Sequence, residues 1–258
     1  ISFKTYEKFK RIDSKTNLTK TIYEKIEGVL VGNSVNMNQK DIDTLFYFKS
    51  QGLNVINVLN WIENEYQRIP PYMINNKFQM IEKFNSIDES YNIRFKRTGD
   101  FIVSLFLLII TLPLTITTAI LIYLEDFGPI FYSQVRTGFR GEKIVIYKFR
   151  SMIQDAEKLG PQWSKNEDKR ITKIGKLIRA TRIDELPQLL SVLDGKMSLI
   201  GPRPERPEFE EKFLEEIPFY KYRTILKPGI SGWAQVNYPY GASLEDSINK
   251  LSYDIYYI

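Results

Sequence analysis

Residues Phe101–Leu124, FIVSLFLLIITLPLTITTAILIYL, decide the fold class: 24 consecutive residues carry no charge, more than the roughly 18 to 20 that a helix needs to cross a bilayer. Pro113 sits near the middle, where it removes a backbone donor and crowds the preceding turn, so a sharp kink is expected there. Thr111, Thr115, Thr117 and Thr118 cluster around it, where hydroxyls satisfy freed carbonyls. Basic residues flank both ends, Arg94, Lys96 and Arg97 before the block and Arg136, Arg140 and Lys143 after it. Flanking charge therefore gives no vote for opposite sides of a membrane. A re-entrant hairpin with both ends on the cytoplasmic face fits this pattern; an ordinary kinked transmembrane helix is the alternative.

Downstream, IFYSQVRTGFRGEKIVIYKFRSM reads as two β segments around a turn at Gly138 and Gly141. Lys143, Lys148 and Arg150 decorate it, and a basic face beside a membrane entry point suits phosphate groups of lipids or substrates. Ile153–Asn166 reads as a short amphipathic stretch broken at Gly160-Pro161. Lys169–Arg182, KRITKIGKLIRATR, reads as a basic helix with Ile171, Ile174, Leu177 and Ile178 as its apolar stripe, suited to a membrane interface.

That helix delivers Arg179 and Arg182 to Thr181–Pro204, TRIDELPQLLSVLDGKMSLIGPRP, where the chemistry concentrates. Asp184 and Glu185 head an apolar helix expected over Glu185–Leu193, about 13 Å long at 1.5 Å per residue. A turn at Asp194-Gly195 then sends the chain back toward Arg203. If it returns, two carboxylates are placed to hold a divalent cation through oxygen ligands, and Arg203 to grip a phosphate bidentately. Taken alone, the pair equally suits ordinary first-turn acids favoured by the helix dipole. Beyond Pro204, ERPEFEEKFLEEIPFYKYR reads as a solvated amphipathic helix. LKPGISGWAQVNYPYG reads as a loop whose Trp233 serves either as a stacking face or as a core anchor, and SLEDSINKLSYDIYYI begins a final amphipathic helix.

Upstream, residues 1–26 are charged and weakly patterned and read as a linker. GVLVG, a helix over Asn38–Gln51 and LNVINVL then form a strand, helix and strand, a βαβ unit. It lacks a G-x-G-x-x-G fingerprint, so it reads as a structural or regulatory Rossmann-like remnant. An Asn-rich connector follows at residues 72–93. The start at Ile1 and the run LSYDIYYI at the other end read as a piece of a longer protein.

The composition narrows the chemistry. The chain has 258 residues, no cysteine and no histidine, which removes thiolate and imidazole catalysis and His-liganded zinc. The net charge of +5 favours anionic partners. No nucleic-acid motif accompanies it, so phosphates and membrane lipids are the expected partners.

In order, FKRTGD, YKFRSM, RITKIGKLIRATRIDELPQL, DGKMSLIGPRPERPEF and LKPGISGWAQV resemble the monotopic phosphoglycosyl transferases, the bacterial sugar transferase family that starts exopolysaccharide, capsule and O-antigen (lipopolysaccharide) assembly. The resemblance covers Arg94–Ile258, and the βαβ unit resembles the Rossmann-like segment of long-form members. It implies an α/β protein. A partial Rossmann-like domain and connector at 27–90 would precede a catalytic domain at 91–258, a membrane-embedded mixed α/β fold rich in amphipathic helices with its membrane helix at 101–124. The implied reaction moves a sugar 1-phosphate from a UDP-sugar to polyprenyl (undecaprenyl) phosphate with release of UMP, on the cytoplasmic face of the bacterial inner membrane. Carried over by position, Asp184 is the nucleophile that forms a phosphosugar-enzyme intermediate, and Glu185 helps it place Mg²⁺. Arg179 and Arg203, then Lys148 and Arg150, hold phosphoryl oxygens.

A carboxylate with a reference pKa near 3.9 needs no histidine to activate it, which agrees with the residue inventory. The chain departs from the family pattern twice. Leu112 stands where Ser often precedes the helix-breaking proline, leaving Thr111 as the replacement hydroxyl, and the usual continuation is missing after Ile258. The rival reading is a catalytically silent membrane-tethered scaffold or regulator, which would not need Asp184, Glu185 and Arg203 to converge; a nucleotide-sugar hydrolase would turn over without lipid. No motif identifies the sugar, and the oligomeric state stays open, with a homodimer as the form considered.

Overall fold

The computed structural model describes residues 28–32, 37–74, 90–156, 168–239, 241 and 243–258. The 1–26 linker, most of the Asn-rich connector and most of the 153–166 stretch lie outside them. The fold is mixed α/β and divides into two units, 1–66 and 67–258.

In the smaller unit β1 (Gly28–Val31) and β2 (Asn54–Asn57) pair in parallel, with α1 (Gln39–Ser50) between them. Asn38 and Asp41 cap the start of α1 reciprocally, and Gly52 at φ +83° turns the chain out of it. The second strand is shorter than the sequence pattern predicts, because α2 (Val58–Tyr66) begins inside LNVINVL. Asn57 causes the switch: its side-chain oxygen accepts from Leu59 N at 2.8 Å and opens a helix.

The larger unit is threaded by α3 (Ser90–Asp126), 37 residues long and helical through Pro113. The proline therefore does not interrupt the helical assignment. Thr111, Thr115 and Thr117 donate to the carbonyls of Leu107, Leu112 and Pro113 at 2.7–2.8 Å and surround the turn that lacks a proline N–H. Among the described residues this is the one helix long and apolar enough to cross a membrane. Phe106, Ile109 and Ile110 on its flanks are exposed.

Both ends of α3 are tied to the rest of the unit. Near its start, Arg97 donates to the carbonyls of Val192 and, at 2.7 Å, Leu193. Lys96 donates to Ser198 and Ile200 O, while Asp100 accepts from Ser198 Oγ at 2.8 Å. At its far end, Glu125 accepts from the N–H groups of Lys173 and Ile174, and Asp126 pairs with Arg150 through both carboxylate oxygens. Ile122 packs there with Phe149 and Ile178.

β3 (Phe131–Thr137) and β4 (Lys143–Phe149) form the expected antiparallel hairpin, with Arg136 opposite Ile144 and Gln134 opposite Ile146. Opposite residues share a face, and on that face Ile144 and Ile146 pack with Val192 and Met197. The basic stretch after it yields α4 (Lys173–Ala180), shorter than the 169–182 helix expected and capped by Thr172. Its predicted stripe splits, since Ile174 and Ile178 join the Ile122–Phe149 cluster while Leu177 stays 58% exposed. Gly175 sets this approach: a Cβ there would lie 2.0 Å from Ser151 O, so α4 rests on backbone through a residue with no side chain.

The single helix predicted over Glu185–Leu193 is instead a 3₁₀ segment, Ile183–Gln188, followed by α5 (Leu189–Leu193). Pro187 within the first segment has no N–H to give a regular helix. β5 (Ser198–Ile200), α6 (Pro207–Glu216), a 3₁₀ segment at Tyr220–Ile225 and β6 (Gly229–Ser231) come next, with β5 and β6 parallel. The predicted loop thus contains a strand and a short helix, α7 (Trp233–Asn237), before α8 (Leu244–Tyr257). Trp233 is an anchor, donating to Gln67 O at 3.0 Å beside Tyr256.

Ala at a helical glycine usually adds about 1 kcal/mol of stability. Gly175→Ala is expected to do the reverse, destabilising by about 1–3 kcal/mol as its Cβ is driven into Ser151 O. A lower apparent Tm in detergent supports this close approach, and a higher one refutes it.

Candidate active site

Glu185 is the point where three separate segments meet. β4 turns Lys148 inward by its two-residue alternation, and Lys148 Nζ donates to Glu185 Oε1 at 2.8 Å. The loop after β5 returns as the spacing predicts, and Arg203 Nη2 reaches the same oxygen at 2.8 Å while Nη1 lies 3.5 Å from Oε2. Arg182, left-handed at φ 59°, adds its charge at 3.9 Å.

The return of Arg203 depends on glycine. A Cβ on Gly201 would lie 2.4 Å from Lys227 O, and one on Gly229 would lie 2.2 Å from Gly201 N, so the two backbones touch directly. Behind them Arg223 donates to Arg203 O at 2.9 Å, to Asp254 at 2.7 Å and to Tyr220 OH at 2.6 Å. Arg223 and Asp254 are both buried, so α8 braces the loop that carries Arg203.

Asp184 and Glu185 stand in the first turn of the 3₁₀ segment and are themselves buried, at 9% and 6% exposure. Their surroundings differ. Burial opposes the charge of Glu185, but Arg203 and Lys148 outweigh it and hold the carboxyl down to about 2. Burial pushes the Asp184 carboxyl above the ordinary aspartate range, against the pull of Lys148. Its Oδ1 is buried with no hydrogen-bond partner. Lys148 is pushed down to about 8, by burial first and by the neighbouring Arg203 second, with Glu185 working the other way.

Of the residues singled out in the sequence, Lys148, Arg203 and Glu185 are joined directly, with Asp184 adjacent in the chain. Arg179 is near enough for its charge to favour ionised Asp184. Arg150 has a different role: it is buried, and its guanidinium is engaged by Asp126 and Pro129 O, fastening α3. Two residues escaped the sequence reading as members of the site. Arg136 and Gln188 line a small, partly open pocket with Ile146, Lys148, Arg203 and Pro204. Strand alternation from Lys148 through Ile146 to Ile144, and across to its β3 partner, would have found Arg136. Among the described residues no group of three or more acidic, histidine or cysteine side chains is placed to hold a metal. Any divalent ion here would rely on Asp184 and Glu185 plus oxygens brought by a ligand.

The family model described as bacterial sugar transferase matches residues 91–258. The chain is 49% identical over 163 residues to UDP-N-acetylgalactosamine-undecaprenyl-phosphate N-acetylgalactosaminephosphotransferase of Aeromonas hydrophila, covering 63% of this chain and 38% of that protein. It is 39% identical over 186 residues to UDP-glucose:undecaprenyl-phosphate glucose-1-phosphate transferase of Klebsiella pneumoniae, covering 71% and 40%. With undecaprenyl-phosphate galactose phosphotransferase of Salmonella typhimurium it shares 31% identity over 207 residues, covering 72% and 41%. The chain thus spans about two fifths of the length of each of these relatives.

The depressed Glu185 carboxyl links this cluster to stability. Its pKa falls from 4.5 to about 2 on folding, so its contribution, on the order of 3 kcal/mol, is fully present above pH 5 and is lost as pH falls toward 2. Glu185→Gln is therefore expected to be less stable than wild type at pH 7, with the gap closing as pH drops. Denaturant unfolding in detergent from pH 7 to pH 3 reads this out, and parallel curves would contradict it.

Proposed function

The chain belongs to the bacterial sugar transferase family, and on that premise we propose that it transfers a sugar 1-phosphate from a UDP-sugar to undecaprenyl phosphate and releases UMP, through a covalent intermediate on Asp184. One observation carries the reading: a buried carboxylate with an unpartnered oxygen stands beside a second carboxylate already bound by Lys148 and Arg203. The names of the relatives supply the substrate classes. A silent scaffold has no use for this convergence.

In the first half of the reaction Asp184 attacks the phosphorus attached to the sugar. The bond from that phosphorus to the bridging oxygen breaks, and UMP leaves with the electron pair. In the second half an oxygen of undecaprenyl phosphate attacks the same phosphorus, and the Asp184 carboxylate departs. No general base is required, because Asp184 reacts as the anion. Lys148 and Arg203 place fixed positive charge beside the phosphates, where it counts most in a site shielded from water. Asp184 and Glu185 fit Mg²⁺, an ion that accepts one or two protein carboxylates and completes its shell with substrate phosphates. Held there, it would neutralise the diphosphate and the departing UMP.

The membrane arrangement rests on α3. Fastening of both its ends to the same unit supports a re-entrant course, since a spanning helix would leave its far end in the opposite compartment. Exposed Leu177 on basic α4 supports contact of that helix with lipid headgroups. On this reading the site lies at the cytoplasmic face of the bacterial inner membrane. The parallel β1 and β2 with α1 support a Rossmann-like accessory segment upstream of the catalytic domain, which begins where the family match begins.

The protein in nanodiscs with Mg²⁺ and a panel of UDP-sugars, without acceptor lipid, is expected to gain one sugar-phosphate mass. UDP-N-acetylgalactosamine heads the panel, being the sugar named for the Aeromonas relative. The adduct should vanish in Asp184→Asn and discharge on adding undecaprenyl phosphate; turnover with no adduct under single-turnover conditions would indicate direct displacement. The rate should also fall as pH rises through about 8, where Lys148 loses its proton. Lys148→Arg, which keeps its charge, should move that limb to higher pH. An unmoved limb assigns it to another group.

A further inference from the structure

Two residues that line the pocket beside Glu185 each carry a buried N–H with nothing to bind. Arg136 uses Nη1 on Pro204 O at 3.3 Å and Nη2 on Gln134, while its Nε is buried with no partner. Gln188 is 3% exposed, and its Nε2 is likewise buried and unpartnered. Each such donor is costly to leave unmade, and both residues line the same small, partly open pocket as Lys148 and Arg203. The lining carries three cations and an amide, and the remaining members, Ile146 and Pro204, are apolar. Glu185, which offsets part of this charge, reaches it through Lys148 and Arg203. A ligand matched to this wall carries negative charge and several acceptor oxygens in a compact group, which describes a phosphoryl group.

The geometry points to a phosphoryl subsite in which Arg136 and Gln188 are binding residues, set beside the carboxylates and separate from the phosphorus that Asp184 attacks. This rests on the transfer reading above and extends it to two residues and a second phosphate. Two phosphates of that chemistry visit the site: the nucleotide phosphate that leaves as UMP, and the terminal phosphate of the lipid acceptor. In either case Arg136 and Gln188 meet oxygens that bear charge during transfer, so their loss should slow a chemical half-reaction as well as weaken binding.

The test uses the full chain in nanodiscs and the variants Gln188→Glu, Gln188→Leu and Arg136→Lys. Gln188→Glu keeps the shape and repels an anion, Gln188→Leu removes the donor without adding charge, and Arg136→Lys keeps the charge without the Nε–H. Binding of UMP and pyrophosphate is measured first, then adduct formation from the UDP-sugar, then discharge of preformed adduct onto undecaprenyl phosphate. UMP binding weakened about 10- to 100-fold, with slower adduct formation and normal discharge, assigns the subsite to the leaving nucleotide. Normal UMP binding with discharge slowed to a similar degree assigns it to the acceptor lipid. Variants that keep the wild-type Tm, bind UMP and pyrophosphate within twofold of wild type and run both half-reactions normally overturn the subsite. If wild type forms no adduct yet binds pyrophosphate, and the variants lose that binding, the transfer reading fails while the subsite stands. Wild type that binds neither UMP nor pyrophosphate defeats both.

Discussion

Glu185 is the fulcrum of the larger unit. Its carboxylate ties β4 through Lys148, the 201–204 loop through Arg203 and its own 3₁₀ segment, three stretches that share no sheet. A charge this well buried is costly unless it is paired. Here a single acid takes two short cation contacts, so breaking either leaves unbalanced charge inside the protein. The backbone follows from this requirement. Gly201 and Gly229 touch because Arg203 has to reach inward, and Arg223 with Asp254 braces the same loop from behind.

The membrane helix and the site are mechanically one object. Arg97 grips the end of α5, which continues directly from the 3₁₀ segment bearing Asp184 and Glu185. At the other end of α3, Ile122 shares a cluster with Phe149, the residue after Lys148, and with Ile178. Asp126 holds Arg150, the next residue on. Both strands of chain that supply the site therefore start from points on the apolar helix. On the proposed reaction, a lipid substrate held near that helix would reach the carboxylates without any long linker.

Much of this was legible in the sequence. The apolar block, the β hairpin, the βαβ unit and the return of the chain from Glu185 to Arg203 followed from alternation, turn residues and spacing. What misled was local chemistry that spacing does not carry. Pro187 made a 3₁₀ segment out of an expected helix, Asn57 ended a strand early, and Gly175 let α4 rest on Ser151 so closely that its stripe faced two ways. Arg150 looked like a phosphate ligand because it lies two residues from Lys148, but two residues along a strand does not fix the partner, and Asp126 from a distant segment claimed it. Arg136 was read only as flanking charge and Gln188 not at all, because a lone arginine and a lone glutamine carry no pattern until the facing strand and the 3₁₀ turn are placed together.

A site without histidine shifts the problem of nucleophilic attack from deprotonation to solvation. On the proposed mechanism Asp184 attacks as an anion, yet a buried anion is costly, and its carboxyl is raised by burial accordingly. The simplest remedy, a direct ion pair of the attacking oxygen with Lys148 or Arg203, would stabilise the anion and also blunt that oxygen as a nucleophile. Glu185 resolves this conflict. By taking the short contacts of both cations, it leaves their field acting on Asp184 at one remove while the Asp184 oxygen stays free of a hydrogen bond. On the proposed mechanism the two adjacent carboxylates then divide the work: the more acidic one holds the cations in place, and the less acidic one is kept open for phosphorus.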